Sequence, residues 1–268
     1  VIPVLEAIKD FKTIKDDPFW FRLELLTNRH ELETTTQVQQ MIKPGMTILD
    51  IGAHVGYYAR LFAELTGETG RVIAFEPHPR THEVLKQNVS KLNNVTTLQM
   101  AVAEQEGTAE LYDYLMMSAS GSLHYDESLV DLQRAQIGEF DIAPRQSTEF
   151  EMQKFSVKTI PIDKCLKDMG IEQVDFVKMD IEGAEMGALR SMKQTITNSP
   201  KLALIMEYNP QALQAFDYDP IQALNEVLDM GFTRMQAIHP DGSLSDWTHD
   251  TATVNTETQA LLNHMGVI

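Results

Sequence analysis

Apolar positions along the chain alternate between two spacings, which predict strands and helices in turn. Short, nearly continuous apolar runs are typical of buried strands in a parallel sheet, and they occupy residues 47–51, 71–75, 174–179 and 202–207. Apolar residues at helical spacing predict amphipathic helices over 57–66, 79–92, 184–192 and 220–230. Further extended segments are predicted over 95–102, 108–112 and 232–238. This order indicates an α/β fold with a mostly parallel sheet and helices on both faces.

Two regions depart from this alternation. Residues 1–43 carry apolar residues at helical spacing and are predicted to form an N-terminal helical extension beside the main domain, which we place at 44–268 because Pro44-Gly45 marks a turn. Residues 116–155 are polar and lack periodicity. A loop of that length is either a lid over an active site or a solvated insertion without a role.

Composition narrows the set of partners. The 268 residues carry a net charge of -17, from 22 basic and 39 acidic side chains. Such a surface repels phosphate backbones and anionic lipids, so we expect neither nucleic acid nor a membrane as partner. No apolar run reaches the length of a membrane span, and the N-terminus does not resemble a signal peptide, which favours the cytoplasm. The expected partner is a small-molecule or carrier-bound substrate; nothing indicates an oligomeric state.

The strongest chemical signal is the turn after the first strand. Asp50-x-Gly52-x-x-x-Gly56 leads from that strand into a helix, and Glu76 ends the next strand. Ligands of open parallel sheets bind at the carboxyl ends of strands, where helix N-termini offer free N–H groups. An acid at the end of the second strand accepts hydrogen bonds from ribose hydroxyls. Cofactor contacts are therefore predicted from Asp50, Gly52, Ala53, His54, Gly56, Glu76 and Pro77.

The same turn discriminates between two adenosine cofactors. A dinucleotide site requires Gly-x-Gly-x-x-Gly to cradle a pyrophosphate, whereas this chain has His54 and Ala59. S-adenosylmethionine has no phosphate but has an ammonium group, which Asp50 is placed to meet directly or through water. The turn thus favours S-adenosylmethionine over a nicotinamide cofactor. The plainer alternative is an ordinary strand-to-helix turn in which Gly52 serves geometry alone.

A second group of acids follows two later strands. Asp180 and Glu207 lie at the predicted carboxyl ends of their strands, and Glu182 follows closely. Three interpretations stay open: the acids bind the substrate; Asp180, Glu207 and Asn209 hold a divalent cation such as Mg²⁺ through hard oxygen ligands; or Glu182 and Glu185 only favour the start of a helix. Asp180 is in addition counted among the cofactor contacts.

Methyl transfer to an alcohol is helped by a general base, which is usually His, Asp or Glu. The candidates are Asp180, His124 in the polar insertion and His239 after the 232–238 segment. His78 and His82 are expected on a solvated helix face.

Five motifs together resemble the FkbM family of methyltransferases. They stand at 33–34 (ET), 44–45 (PG), 50–58 (DIGAHVGYY), 75–77 (FEP) and 178–185 (KMDIEGAE). The resemblance implies a class I methyltransferase fold of seven strands, one of them antiparallel and near the C-terminus, with S-adenosylmethionine as methyl donor. It also implies cofactor contacts from Asp50, Gly52 and Glu76 and an adenine flanked by Met100, Ala101 and Val102.

The expected function is O-methylation of a hydroxyl on a small molecule, natural product or sugar. N-methylation and methylation of a carrier-bound biosynthetic intermediate are the alternatives within enzymes. A non-catalytic nucleotide-binding module is the alternative outside them.

Overall fold

The computed structural model describes residues 1–113, 118–119, 121–125, 152–239, 241–247 and 266–267. Its strands are β1 (Thr47–Ile51), β2 (Arg71–Phe75), β3 (Val95–Leu98), β4 (Ala101–Val102), β5 (Gly107–Asp113), β6 (Gly121–Ser122), β7 (Gln153–Ile160), β8 (Phe176–Met179), β9 (Ala203–Tyr208), β10 (Met235–Ile238), β11 (Leu244–Trp247) and β12 (Gly266–Val267). Its helices are α1 (Ile2–Lys9), α2 (Phe19–Thr27), α3 (Leu32–Met41), α4 (Tyr57–Thr66), α5 (Pro79–Val89), α6 (Ile162–Asp168), α7 (Glu185–Arg190), α8 (Lys193–Asn198), α9 (Pro210–Ala215) and α10 (Pro220–Asp229).

Within the described residues, the central sheet has eight strands in the order β11-β10-β12-β9-β8-β1-β2-β3. The strands from β9 to β3 pair in parallel. β12 lies antiparallel between β9 and β10, as expected of the antiparallel strand near the C-terminus, but the sheet has eight strands where seven were expected. β11 is added antiparallel to β10 at the edge. The α/β fold class is thereby confirmed.

Alternate residues of the central strands pack against different helices, because successive side chains of a strand point to opposite faces. On one face, Leu49 and Ile73 belong to a core that includes residues of α6 to α10. On the other, Ile48 and Val72 belong to a core that includes residues of α1 to α5. Burial on both faces explains why the sequence of these strands is nearly continuously apolar.

A second sheet was not predicted as a unit. β4, β7, β5 and β6 pair in that order, and β5 runs antiparallel to β7 over seven residue pairs. β7 begins at Gln153, so the last residues of the 116–155 range belong to a strand. The prediction missed this strand because polar residues interrupt its apolar positions. Most of that range lies outside the described residues, and its role as a lid is untested.

The N-terminal residues form helices α1, α2 and α3, as their apolar spacing predicts. Phe21, Leu26 and Val38 are buried in the same core as α4 and α5. The division of the chain at residue 43 into two domains stays a prediction. In the part of the chain that the structure describes, no helix combines the length and the apolar character needed to cross a membrane.

Gly52 allows the loop after β1 to pass over the end of β8. A Cβ at this position would lie 1.9 Å from the carbonyl oxygen of Asp180, and the φ angle of Gly52 is +86°. We therefore expect Gly52→Ala to lower the free energy of unfolding by more than about 2 kcal/mol, from the left-handed backbone and the clash together. Urea denaturation measures this change.

Gly187 in α7 is the matched control, because nothing lies within 4 Å of a Cβ built there. Gly187→Ala should leave the stability unchanged or raise it by up to about 1 kcal/mol. Equal stability of the two variants would contradict the role given to Gly52.

Candidate active site

A cavity of about 250 Å³ opens where the central parallel strands end. Its walls come from the loops after β1, β2 and β8, from Glu207 near the end of β9, from the second sheet and from the N-terminal helices. The strand ends meet here because all four strands run in parallel. This is the edge of the sheet at which the sequence predicted the cofactor.

Backbone hydrogen bonds fix the turn after β1. The amides of Gly52 and Ala53 both donate to the carbonyl of Phe75, at 3.0 and 2.9 Å. His54 and Gly56 then adopt positive φ angles of 49° and 91°, and α4 begins at Tyr57. The turn is therefore bound to the end of β2, so the two segments predicted to hold the cofactor are one structural unit.

Glu76 joins the two segments through its side chain. One carboxylate oxygen accepts from the amide of His54 and the other from the amide of His78, each at 2.9 Å. Burial raises the pKa of Glu76 to about 7, although the two amides and the charge on His78 act in the opposite direction. The carboxylate is thus held in a fixed orientation on the cavity wall, as an acceptor for ribose hydroxyls needs to be.

Most of the predicted cofactor residues line the cavity. These are Gly52, Ala53, His54, Glu76, Pro77, Ala101, Val102 and Asp180. Gly56 does not line the cavity. It faces α5, where a side chain at position 56 would meet Leu85. Gly52 was predicted to contact the cofactor. It lines the cavity, but the space that its missing side chain leaves is taken by the carbonyl of Asp180.

Asp50 does not line the cavity either. Its side chain is fully buried, and neither carboxylate oxygen has a hydrogen-bond partner among the described residues. Burial raises the pKa of Asp50 to about 7, partly offset by the ammonium of Lys178, its partner in the β1–β8 register. Position 50 points to the α1–α5 face of the sheet, between the positions of Leu49 and Ile51 on the opposite face, so the side chain of Asp50 is not part of the cavity wall. Its predicted contact with the ammonium of the cofactor through water stays a prediction.

His54 connects the cofactor turn to two distant segments. Its Nε2 lies 2.6 Å from Ser118 Oγ, which donates to the Asp17 carboxylate at 2.6 Å. Because that hydroxyl hydrogen is used, His54 must donate to Ser118 through Nε2–H. Burial lowers the pKa of His54 to about 3, so the imidazole is neutral at physiological pH.

His78 and His82 were expected to be solvated, and this was wrong. Both residues are only 7% exposed. The His78 ring accepts from Thr81 at the start of α5, and its Nε2 lies 3.1 Å from an oxygen of Asp113 on β5. His78 immediately precedes α5, and His82 lies on the same buried face of that helix as Leu85 and Val89.

Three further acids of the cavity wall lie close together. Asp180, Glu182 and Glu207 each offer a carboxylate oxygen within 4.8 Å of the others. Burial and mutual repulsion raise the pKa of Glu182 to about 8 and that of Glu207 well above its usual value. One oxygen of Glu207 is buried without a hydrogen-bond partner among the described residues. The group suits a hydrogen-bond donor or a cation.

Glu185 has a structural role. It is buried at the start of α7, and its carboxylate accepts from the amide of Ile181 at 3.0 Å. This agrees with the interpretation of Glu185 as an acid that favours a helix N-terminus.

Three predicted site residues are absent from the cavity wall. Asn209, the third proposed metal ligand, begins α9 and accepts from the amide of Ala212, so its amide oxygen is engaged there. The ring of His124 lies 5.2 Å from that of Phe216. His239 is in the hairpin between β10 and β11, with Nε2 2.8 Å from Ser245 Oγ. Of the three base candidates, only Asp180 lines the cavity.

Lys178 and the residues around it belong to the site, although no site role was predicted for them from the sequence. The Lys178 ammonium lies 2.9 Å from Asp180 Oδ2 and 4.6 Å from the ring centre of Tyr58. Tyr58 donates to Glu31 at 3.0 Å. Although burial acts against charging of both partners, their attraction and further contacts lower the pKa of Glu31 to about 2 and raise that of Lys178. The signal in the sequence was a lysine two positions before Asp180 in an apolar strand.

The groups that line the cavity fit S-adenosylmethionine. Glu76 offers a fixed carboxylate for a ribose, and Met100, Val102 and Leu111 offer an apolar wall for an adenine. The carboxylate-rich side suits the positive charge of a sulfonium, since opposite charges attract strongly where water is scarce.

A family model and several known proteins match this chain. A model of the FkbM methyltransferase domain matches residues 50–233. The 2-O-methyltransferase NoeI of Sinorhizobium fredii is 27% identical over 203 residues, which cover 72% of this chain and 74% of NoeI. Methyltransferase sdnD of Sordaria araneosa is 24% identical over 208 residues, covering 71% and 75%. A SAM-dependent methyltransferase from Aquifex aeolicus superposes with a TM-score of 0.41 at 18% identity, covering 89% of this chain and 92% of that one.

Glu76 should make cofactor affinity depend on pH. Ribose hydroxyls donate best to an ionised carboxylate, and the pKa of Glu76 is about 7 before binding. Affinity for S-adenosylhomocysteine should therefore rise as the pH increases from 6 to 8, by at most about tenfold per unit. Glu76→Gln should weaken binding by about tenfold or more and remove this component of the pH dependence.

Calorimetric titration at several pH values measures both effects. Glu83→Gln, on the exposed side of α5, is the control and should behave as wild type. A pH dependence of the same size in Glu76→Gln would show that another group causes it.

Proposed function

We propose that this chain, which belongs to the FkbM family of S-adenosylmethionine-dependent methyltransferases, transfers a methyl group to a hydroxyl oxygen of a small molecule or sugar. The observation that carries the proposal is the group of carboxylates formed by Asp180, Glu182 and Glu207, which lines the same cavity as Glu76. Carboxylates accept hydrogen bonds from hydroxyls and remove their protons. The similarity to a protein named as a 2-O-methyltransferase supports the same acceptor chemistry.

In this proposal, different residues of the chain bind the cofactor, orient the acceptor and remove its proton. S-adenosylmethionine supplies, when bound, a methyl group made electrophilic by its sulfonium. Glu76 and the apolar wall hold the adenosine, while the carboxylates orient the acceptor. Asp180 would accept the proton of the acceptor hydroxyl, whose oxygen would take the methyl group that the cofactor supplies. Alignment of the reactants supplies a large part of the rate.

Asp180 is the preferred base because it alone among the three candidates lines the cavity. We expect Asp180→Asn to lower turnover by about 10² to 10⁴ while affinity for S-adenosylhomocysteine changes less than about threefold. Asp168→Asn, an exposed acid on α6, is the matched control. A loss of similar size in His124→Asn or His239→Asn, with Asp180→Asn active, would transfer the role of base to that histidine.

The acceptor atom can be identified directly. The enzyme is incubated with S-adenosylmethionine carrying a ¹³C methyl group and a panel of neutral glycosides, alcohols, amines and carrier-bound thioesters. The carbon shift of the product distinguishes a methyl on oxygen from one on nitrogen. We expect label on oxygen; label on nitrogen or only on carrier-bound substrates would replace the proposal by one of those alternatives.

A divalent cation such as Mg²⁺ is a second proposal for the three acids. Their oxygen ligands suit it, but the ammonium of Lys178, 2.9 Å from Asp180, opposes a further positive charge there. We therefore expect turnover to persist after exhaustive chelation. A loss that Mg²⁺ restores would establish the cation.

A further inference from the structure

Lys178 is a buried ammonium on a central strand of the sheet. The residue is 4% exposed, and its neighbours Val177 and Met179 belong to the apolar core. Burying an ammonium is costly, and replacing a buried ion pair by apolar residues is often neutral or stabilising. Stability of the fold therefore gives no reason for a lysine at this position.

The surroundings of Lys178 connect it to the cavity. Asp180 stands two positions further along an extended chain, which brings the two side chains to the same side. Their ion pair measures 2.9 Å, and the Asp180 side chain is 32% exposed, toward the cavity, whereas that of Lys178 is 6% exposed. Asp50, opposite Lys178 in the strand register, and the ring of Tyr58 complete its immediate environment.

Glu31 is linked to Lys178 through Tyr58, which donates to Glu31 and whose ring lies against the ammonium. Glu31 immediately precedes α3 with a φ of 42°, an uncommon backbone conformation for a residue with a side chain. Its carboxylate accepts from Tyr58 and lies 3.1 Å from His30 Nε2, and it attracts Lys178 electrostatically. Glu31 and His30 also line the cavity, although both lie outside the residues that match the family domain.

We infer that Lys178 is a positioning residue: its ammonium, anchored by Glu31 and Tyr58, holds the carboxylate of Asp180 at the place where it receives the proton of the acceptor. The inference rests on the proposed methyl transfer to a hydroxyl. It gives the N-terminal helices a part in the reaction, because the residue that anchors the lysine comes from the start of α3.

The kinetic test compares Lys178→Met, Lys178→Arg and Glu31→Gln, with the acceptor found by the ¹³C experiment. Turnover at saturating concentrations should fall about 100-fold in Lys178→Met and about tenfold in Glu31→Gln. Lys178→Arg should have a turnover about ten times that of Lys178→Met, because arginine keeps the charge but not the geometry of the lysine. Affinity for S-adenosylhomocysteine, measured by calorimetry, should change less than about threefold, which shows that the variants are folded.

Lys164→Met is the control, because Lys164 forms an exposed ion pair with Asp168 on α6. Asp180→Asn is measured alongside to separate two failures. If Asp180→Asn keeps its turnover, the proposed base is wrong. If Asp180→Asn loses turnover while Lys178→Met and Glu31→Gln keep that of wild type, the positioning role is overturned.

A spectroscopic test needs no acceptor. A buried, paired lysine ammonium exchanges slowly with water, so protein labelled with ¹⁵N-lysine should give a resolved signal that Lys178→Arg removes. We expect this signal to move or broaden in Asp180→Asn and in Glu31→Gln and to stay unchanged in Lys164→Met. A signal that neither substitution moves would overturn the anchored pair.

Discussion

The close approach of the β1 loop to the end of β8 determines the geometry of the whole site. It is possible only because residue 52 has no side chain, since a Cβ would lie 1.9 Å from the Asp180 carbonyl. The amide of Asp180 donates in turn to the carbonyl of Ile51 at 3.0 Å, and the amide of Gly52 donates to that of Phe75. The ends of β1, β2 and β8 are thereby joined through backbone atoms, which sets Glu76 and Asp180 at fixed positions on one cavity.

This arrangement concentrates buried acids where water is scarce. Burial raises the pKa values of Asp50, Glu76 and Glu185 to about 7, above those of an unfolded chain. Such groups bind more protons in the folded state, so their ionisation costs stability as the pH rises through 7. Lys178 offsets part of this cost, and a positively charged ligand would offset more. A cofactor with a sulfonium therefore suits the electrostatics of the cavity as well as its shape.

The sequence predicted the central strands and the cofactor turn because local signals there agree. The bounds of β1, β2 and α4 follow from apolar runs closed by turn residues, and Gly52 and Glu76 follow from their places after strands. The sequence placed Asp50 at the end of β1, but it did not show that the side chain is fully buried opposite Lys178 of β8. His82 was misplaced because its polar side chain suggested solvent, whereas its spacing from Leu85 and Val89 puts it on the buried face of α5.

Other features depend on contacts between distant segments. The second sheet pairs β5 with β7 across the polar insertion, and no local pattern indicates that pairing. Glu31 reaches the environment of Lys178 from the other end of the domain, so sequence spacing gives no signal for it. Lys178 itself was visible as a charged residue in an apolar strand, a local conflict of the kind that marks functional sites.

The most direct test of the account is a calorimetric titration of the wild-type protein with S-adenosylhomocysteine and, separately, with NADH. The fixed carboxylate of Glu76, the apolar wall and the lack of a pyrophosphate-binding glycine pattern predict one S-adenosylhomocysteine bound per chain and no binding of NADH. Binding of NADH without binding of S-adenosylhomocysteine would contradict the assignment of the cavity.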